Sequence, residues 1–287
     1  MSFPLRRPAG TCALLLVLLA GCSSGTSGLA KEDPSGAEKG RSTSGTAKVR
    51  PPRADAVFDY QLGGAYAPPA GVRAVSRDRT AKPADGLYNI CYVNAFQAQP
   101  GDAVDWWHDK HPRLLLRGAD GEPVIDGDWE EPLLDISTDD KRAALLGIVG
   151  PWIDACADAG FDAVEPDNLD SYERSDGLLT ADDAAAFAGL LARRAHQQGL
   201  AIAQKNTTDL LGRRRLIGFD FAVVEECARY QECPDFVSAY DGRVFDIEYE
   251  EKDFTAACRA WSEELSITLR DRDVRPVDAD GHVYEHC

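Results

Sequence analysis

Nowhere does this sequence carry an apolar run long enough to cross a bilayer as a permanent helix. Its longest, Cys12 to Leu19, falls far short of the roughly 20 residues a span needs. It has no CxxC pair, and its 5 histidines are scattered, so the ligand spacing of a structural zinc site is missing and no metal or other cofactor is expected. No repeat of fixed period is visible. Basic residues are in deficit, 31 Lys and Arg against 48 Asp and Glu, which leaves a net charge of −17. A surface of that sign repels nucleic acid and anionic lipid, and it attracts a polycation.

What is present begins with an export signature. Arg6 and Arg7 precede the apolar run, which ends in the small-residue box Leu19-Ala20-Gly21-Cys22. This is the lipoprotein form of a signal. Cleavage before Cys22 leaves a thiol for a diacylglycerol and an amine for a further acyl chain, so residues 1–21 read as a signal peptide and Cys22 as the lipidation site. The expected location is the extracytoplasmic face of the cell membrane, held there only by the N-terminal lipid. Residues 22–53 are Ser, Gly, Thr, Ala and charged residues with almost no large apolar side chain. Such a segment cannot bury enough surface to offset its ordering entropy, and it reads as a tether. Residues 54–287 are enough for one large core, and a monomer is expected.

Charge and cysteine both sharpen once these segments are set aside. The signal carries +2 and the tether six Lys/Arg against three Asp/Glu, which leaves −22 on the domain if the whole is −17. Six cysteines remain, Cys91, Cys156, Cys227, Cys233, Cys258 and Cys287, and an even number in an oxidising compartment implies three disulfides.

From Val57 onward short β-rich runs alternate with helical patterns, the signature of a parallel sheet with helices outside. The runs are Val57–Leu62, Val72–Asp78, Tyr88–Asn94, Phe161–Asp167, Leu200–Asn206, Asp220–Glu225, Val244–Tyr249 and Leu265–Asp271. Eight of them favour a closed (β/α)8 barrel of the TIM type, with residues 95–136 left as an elaborate loop. Thr180 with Asp183 makes a capping-box start for a helix that Gly199 can terminate in the left-handed conformation. A second helix, from about Ser137 to Ala159, should be kinked or split by Gly150-Pro151.

In such a barrel the active site lies at the C-terminal ends of the strands. Those ends are polar: Glu165-Pro166-Asp167-Asn168, Lys205-Asn206, Glu225-Glu226, Glu248-Tyr249 and Arg270-Asp271. Alternation places Glu165 with Asp167, and Asp246 with Glu248, on common faces, so several carboxylates are expected at one mouth. Glycosidic cleavage needs two, one to protonate the leaving oxygen and one to act as nucleophile or to activate water. Trp106, Trp107, Trp129 and Tyr172 add rings that can stack on sugar faces.

The segments Phe58-Asp59-Tyr60-Gln61-Leu62, Ile90-Cys91-Tyr92-Val93-Asn94, Gly160 to Asn168, Gln204-Lys205-Asn206, Glu225-Glu226-Cys227 to Glu232-Cys233, and Ile247-Glu248-Tyr249 together resemble the endo-α-1,4-polygalactosaminidases, glycoside hydrolase family 114. The resemblance spans about Val57 to Asp271. It implies a (β/α)8 barrel that cuts galactosamine-rich polysaccharide by a retaining route, with Asp167 as nucleophile and Glu225 as acid/base. The expected substrate contacts are Gln61, Asp78, Tyr92, Asn94, Asp135, Glu165, Asn168, Lys205, Asn206, Glu248 and Tyr249. The expected partner, a cationic galactosamine-containing polysaccharide, matches the acidic domain in sign. Two alternatives stay open: a barrel hydrolase of another amino-sugar or α-galactoside polymer, and a non-catalytic surface lipoprotein that binds cationic glycans. The absence of the duplicated lobes of an importer-binding protein speaks against the second.

The cysteine pairing follows from alternation. If Tyr92 and Asn94 face the barrel, Cys91 faces out toward the helix carrying Cys156; Cys227 and Cys233 share one loop, which leaves Cys258 for Cys287.

Overall fold

The computed structural model describes residues 48–99 and 101–287; the expected signal, Cys22 and the tether up to residue 47 lie outside the described residues. All eight sequence runs are strands: β1 (Phe58–Gln61), β2 (Ala74–Asp78), β3 (Tyr88–Asn94), β4 (Ala163–Asp167), β5 (Ala201–Lys205), β6 (Phe221–Glu225), β7 (Val244–Glu248) and β8 (Ser266–Arg270). They pair in sequence order and in parallel. Among the described residues the α-helices, in chain order, are α1 (Asp102–Lys110), α2 (Asp139–Ala159), α3 (Ala181–Gln197), α4 (Arg214–Ile217), α5 (Cys227–Tyr230), α6 (Cys233–Tyr240) and α7 (Glu251–Trp261).

Inside the sheet, large rings face small residues. Phe58, Tyr60, Phe221 and Phe245 share the interior with Ala74, Ala163, Ala201 and Ala203. Phe58 of β1 stacks on Phe245 of β7 at 4.5 Å between centroids, which draws the two ends of the sheet together. At the seam Thr268 Oγ1 of β8 donates to the Phe58 carbonyl at 2.9 Å. A ninth strand, β9 (Tyr284–His286), was not anticipated: it runs antiparallel along the other edge of β8, and the Tyr284 hydroxyl also reaches the Phe58 carbonyl, at 3.2 Å. The architecture is the expected (β/α)8 barrel, nearly closed, with one strand added at the seam.

Outside, the alternate strand residues meet the helices. In α3 the capping box forms as read from Thr180 and Asp183, and Ala184, Phe187, Leu191 and Ala195 are buried on one face. Full burial of a side chain such as Phe187 or Leu191 stabilises by about 1.5–3 kcal/mol. Gly199 follows with φ of 81°. Of the two outcomes expected at Gly150-Pro151 the split does not occur, and the helix runs through Pro151 to end at left-handed Gly160. Proline removes one hydrogen bond and crowds the carbonyl four residues back. Here that carbonyl belongs to exposed Gly147, where water can take the lost bond.

The three disulfides join Cys91 to Cys156, Cys227 to Cys233 and Cys258 to Cys287, with Cα separations of 6.1, 4.9 and 5.8 Å. The first ties the outer face of β3 to α2, the second closes the turn between α5 and α6, and the third ties the residue after β9 to α7. Upstream of Ala54 the chain already touches the barrel, since the Tyr88 hydroxyl donates to the Arg50 carbonyl at 2.9 Å and Pro52 is buried.

Candidate active site

Residues paired across a parallel ladder face the same side. Tyr92 is opposite Glu165, Asn94 opposite Asp167, and Glu225 opposite Ile247 of the interior cluster, so Glu165, Asp167 and Glu225 all point into the barrel mouth. Lys205 joins them from β5 with 3% of its side chain exposed. Its ammonium lies 2.6 Å from Asp167 Oδ1, 3.0 Å from Glu225 Oε2 and 3.8 Å from Glu165 Oε1.

Each carboxylate has its own donors. The Tyr92 hydroxyl donates to Asp167 Oδ2 at 2.6 Å. Glu165 accepts from the Tyr60 hydroxyl at 2.8 Å and the Ser76 hydroxyl at 2.7 Å. Glu225 takes the Tyr249 hydroxyl on Oε1, and Asn206 Nδ2 lies 3.4 Å from Oε2, while the Glu225 amide donates to Asn206 Oδ1 at 2.9 Å. The chain leaves each strand through a left-handed residue: Asn168, Asn206 and Glu226 have φ of 63°, 49° and 57°. The sharp turn lets the preceding side chain stand at the mouth while the backbone departs.

These contacts separate the acids. Burial pushes Asp167 up, but the charge and hydrogen bond of Lys205 and the Tyr92 hydroxyl outweigh it and hold the carboxyl below its ordinary value. Glu165 is dominated by burial and rises to about 7, despite Lys205. Lys205 itself, though desolvated, is held well above its ordinary value by Asp167, Glu225 and Glu165.

The mouth opens into a cavity of about 390 Å³ whose lining includes Asp167, Asn168, Lys205, Asn206, Glu225 and Tyr249. Trp129 stands at its edge, 50% exposed. Sequence reasoning missed Glu131 on the same wall. Its Oε2 accepts from Asn94 Nδ2 at 2.8 Å and Asn168 Nδ2 at 3.3 Å, and burial raises it to about 7. It sits beside the Trp129 that the sequence did single out, and its contact with Asn94 and Asn168 is long-range and leaves no mark on local pattern. Arg174, bound to Asp126 at 2.5 Å and Asp170 at 2.9 Å, and Arg272, with its guanidinium 5.1 Å above the Tyr249 ring, complete the rim.

Several expected contacts lie elsewhere. Gln61 is on the outer face of β1, where it donates to Asp59 at 2.7 Å and accepts from Arg77 at 2.9 Å. Asp78 caps a turn through the Thr80 amide and hydroxyl, and Asp135 is spent on Ser137 and Lys141 at the start of α2. Asn94 does not line the cavity and serves instead as the back of its wall. Glu248 is the clearest correction: Phe245 and Ile247 fill the barrel, so Asp246 and Glu248 face outward, where they accept the amides of Cys227 at 3.3 Å and Ala228 at 2.8 Å. Glu226, next to Glu225 in the chain, is paired with Arg229 at 2.6 Å and Arg272 at 3.3 Å. Trp106 and Trp107 lie outside this cavity, and Tyr172 is buried, with its hydroxyl 2.8 Å from the Thr207 hydroxyl. Cys227, Cys233 and Asp246 cluster as metal ligands would, but the disulfide consumes both sulfurs.

Known proteins place this arrangement. The family model for glycoside hydrolase family GH114 matches residues 39–287. Among solved structures, Ega3 of Aspergillus fumigatus in complex with galactosamine is 25% identical with a TM-score of 0.66, over 84% of this chain and 99% of that one. The glycoside hydrolase domain of PelA from Pseudomonas aeruginosa is 18% identical with a TM-score of 0.56, over 79% of this chain and 97% of that one, and shares the fold. A comparison with the curated proteins finds no match. A two-carboxylate mouth on a (β/α)8 barrel and a family match over nearly the whole domain lead to one conclusion: this chain belongs to glycoside hydrolase family GH114 and is a glycoside hydrolase.

Proposed function

We propose that this enzyme cleaves internal α-1,4 linkages of galactosamine-rich polysaccharide, with Asp167 as nucleophile and Glu225 as the acid and then the base. The observation that carries the reading is the shared ammonium of Lys205, which contacts one oxygen of each carboxylate at 2.6 and 3.0 Å. Those oxygens are no further apart than the two contacts laid end to end. Such closeness of one oxygen pair favours the roughly 5–5.5 Å carboxyl spacing of retaining enzymes over the roughly 6.5–9.5 Å that leaves room for a water in inverting ones. In the retaining sequence Asp167 attacks the anomeric carbon as Glu225 protonates the departing oxygen, and water activated by Glu225 then releases the sugar. The amine of the substrate is supported by the galactosamine bound to Ega3 and by the acidic mouth, where Glu131, Asp167, Asp170, Glu225 and Asp273 line the cavity. Wild-type enzyme should release reducing ends from partly deacetylated galactosaminogalactan, and Asp167→Asn should lose nearly all turnover. Glu225→Gln should lose about 10²–10⁴-fold on the polymer yet spare substrates whose leaving group needs no proton. Full activity of Glu225→Gln on the polymer would overturn these roles, and product analysis on defined oligosaccharides separates this linkage from that of another amino-sugar polymer.

The location is part of the same proposal: a lipid on Cys22 holds the enzyme outside the cytoplasm. Its support is the signal with its small-residue box, together with three disulfides that suit an oxidising compartment. Cys22→Ala should release the protein to the medium or leave it unprocessed, and unchanged membrane fractionation of a protein that has lost its signal would count against the anchor.

A further inference from the structure

A second cavity, of about 240 Å³, opens next to the catalytic one and differs from it in chemistry. Its walls include Trp106, Trp107, Trp152, Arg79, Gln97 and Asn94. The partition between the two cavities is a hydrogen-bonded row: Asn94, whose Oδ1 accepts from Asn168 at 3.1 Å and whose Nδ2 donates to Glu131, faces the second cavity, while Asn168 and Glu131 face the first. Both therefore lie on the C-terminal side of the strands, one sugar-binding wall apart.

Three features fit the second cavity to a sugar. Trp106 keeps 39% of its surface exposed while Trp107 and Trp152, edge to face at 6.2 Å, build the apolar backing; a flat ring beside an apolar wall suits the C–H face of a pyranose. Gln97 anchors its amide to Asp126 at 2.9 Å, and its Oε1 is buried without a hydrogen-bond partner, an acceptor that a hydroxyl or amide N–H donor would satisfy. Arg79 supplies the charge, with its guanidinium 4.4 Å above the Trp152 ring. Among the described residues no carboxylate lines this cavity, whereas five line the catalytic one. A protonated amine is drawn to the first and repelled from the second.

We infer that the Trp106–Arg79 cavity is a remote subsite for an uncharged sugar unit of the polymer, a hexose or N-acetylhexosamine, held while a cationic unit occupies the catalytic mouth. The inference rests on the proposed galactosamine substrate. It makes the enzyme a reader of mixed chains, since binding energy at the remote site adds equally to substrate and transition state and so selects, through KM, substrates carrying both kinds of unit.

Calorimetric titration of the Asp167→Asn protein tests the binding without turnover, using tetramers of N-acetylgalactosamine, galactosamine and galacturonic acid. The Trp106→Ala change should raise the Kd of the N-acetylgalactosamine tetramer about tenfold, the scale of one good aromatic contact, and move that of the galactosamine tetramer less than twofold. Arg79→Glu should tighten the galactosamine tetramer and so reverse the preference. In the enzyme with Asp167 intact, Trp106→Ala should raise KM on the partly acetylated polymer and leave kcat unchanged. Equal effects on the neutral and cationic tetramers, no binding of the neutral one, or tighter binding of the galacturonic acid tetramer would each overturn the subsite. If the wild-type enzyme fails to cut galactosamine polymer while the titrations hold, the substrate reading fails and the subsite stands.

Discussion

Lys205 faces three carboxylates with one positive charge, and the excess of acid has to be resolved around a buried ammonium. Asp167 and Glu225 take the close contacts at 2.6 and 3.0 Å, and Glu165, at 3.8 Å and fully buried, is left to keep a proton up to about 7. One ammonium thus fixes which acid is ionised first. Lys205→Met removes the compensation and leaves Asp167 a buried charge with a single hydroxyl donor, a loss on the order of 3–5 kcal/mol for a broken buried pair. The Asp167 value, now held down, should rise. Because the ionised form is the nucleophile, the acid limb of kcat/KM should move to higher pH and the plateau should fall at least about a hundredfold. A pH–rate profile checks both; an acid limb that stays in place would show that Lys205 is not what keeps Asp167 charged. Much of this site was legible at the residue scale because the acids, Lys205 and the asparagines stand where strands end. Asn168 and Asn206 tolerate the left-handed turn that follows, and Glu226, whose side chain gains nothing locally from it, gave no comparable sign.

At the scale of elements the eight strands were readable because each buried strand is a short apolar run with its own punctuation. β9 was not, being three residues with two of them exposed. The misreading of β7 was one of parity. Asp246 and Glu248 do share a face, but the register that sets Glu225 beside Ile247 turns that face away from the mouth. Behind the strand the two acids clamp the amides of Cys227 and Ala228, which open α5 immediately after the Glu225-Glu226 turn. Burial and the mutual repulsion of the pair push Asp246 well above its ordinary value; burial raises Glu248 to about 7, with Glu226 and Asp253 adding to the upward push. Acids raised in the folded state contribute stability that is complete below their unfolded values near pH 4 and is lost as pH rises through the folded ones. Tm should therefore fall between pH 5 and pH 8, with Glu131 and Glu165, both also at about 7, contributing to the same slope. Asp246→Asn keeps a donor for Glu248 and deletes one titrating group, so the difference in Tm between the two pH values should shrink. An undiminished difference would mean that the pair does not titrate in this range.

For the whole molecule, the least legible part was the excursion between β3 and α2. It has neither period, because its residues pair through single bridges such as Leu115 with Leu134 and Ile125 with Pro132 and not through a continuous strand. Yet it supplies Trp129 and Glu131 to the catalytic cavity and the two adjacent tryptophans to its neighbour. The disulfide from Cys91 to Cys156 closes a loop of chain around this whole excursion. Proteolysis therefore meets a ring and not a strand with two free ends. Trypsin cutting after exposed Arg117, beside the turn at residues 118–122, should leave both pieces covalently joined through the sulfur bridge. The nicked enzyme should run as one band without reductant and two with it, and it should keep its activity until the bridge is reduced, when the portion carrying Glu131 is held only by packing. Loss of activity on nicking alone, with the bridge intact, would show that continuity of the backbone matters there more than the covalent ring.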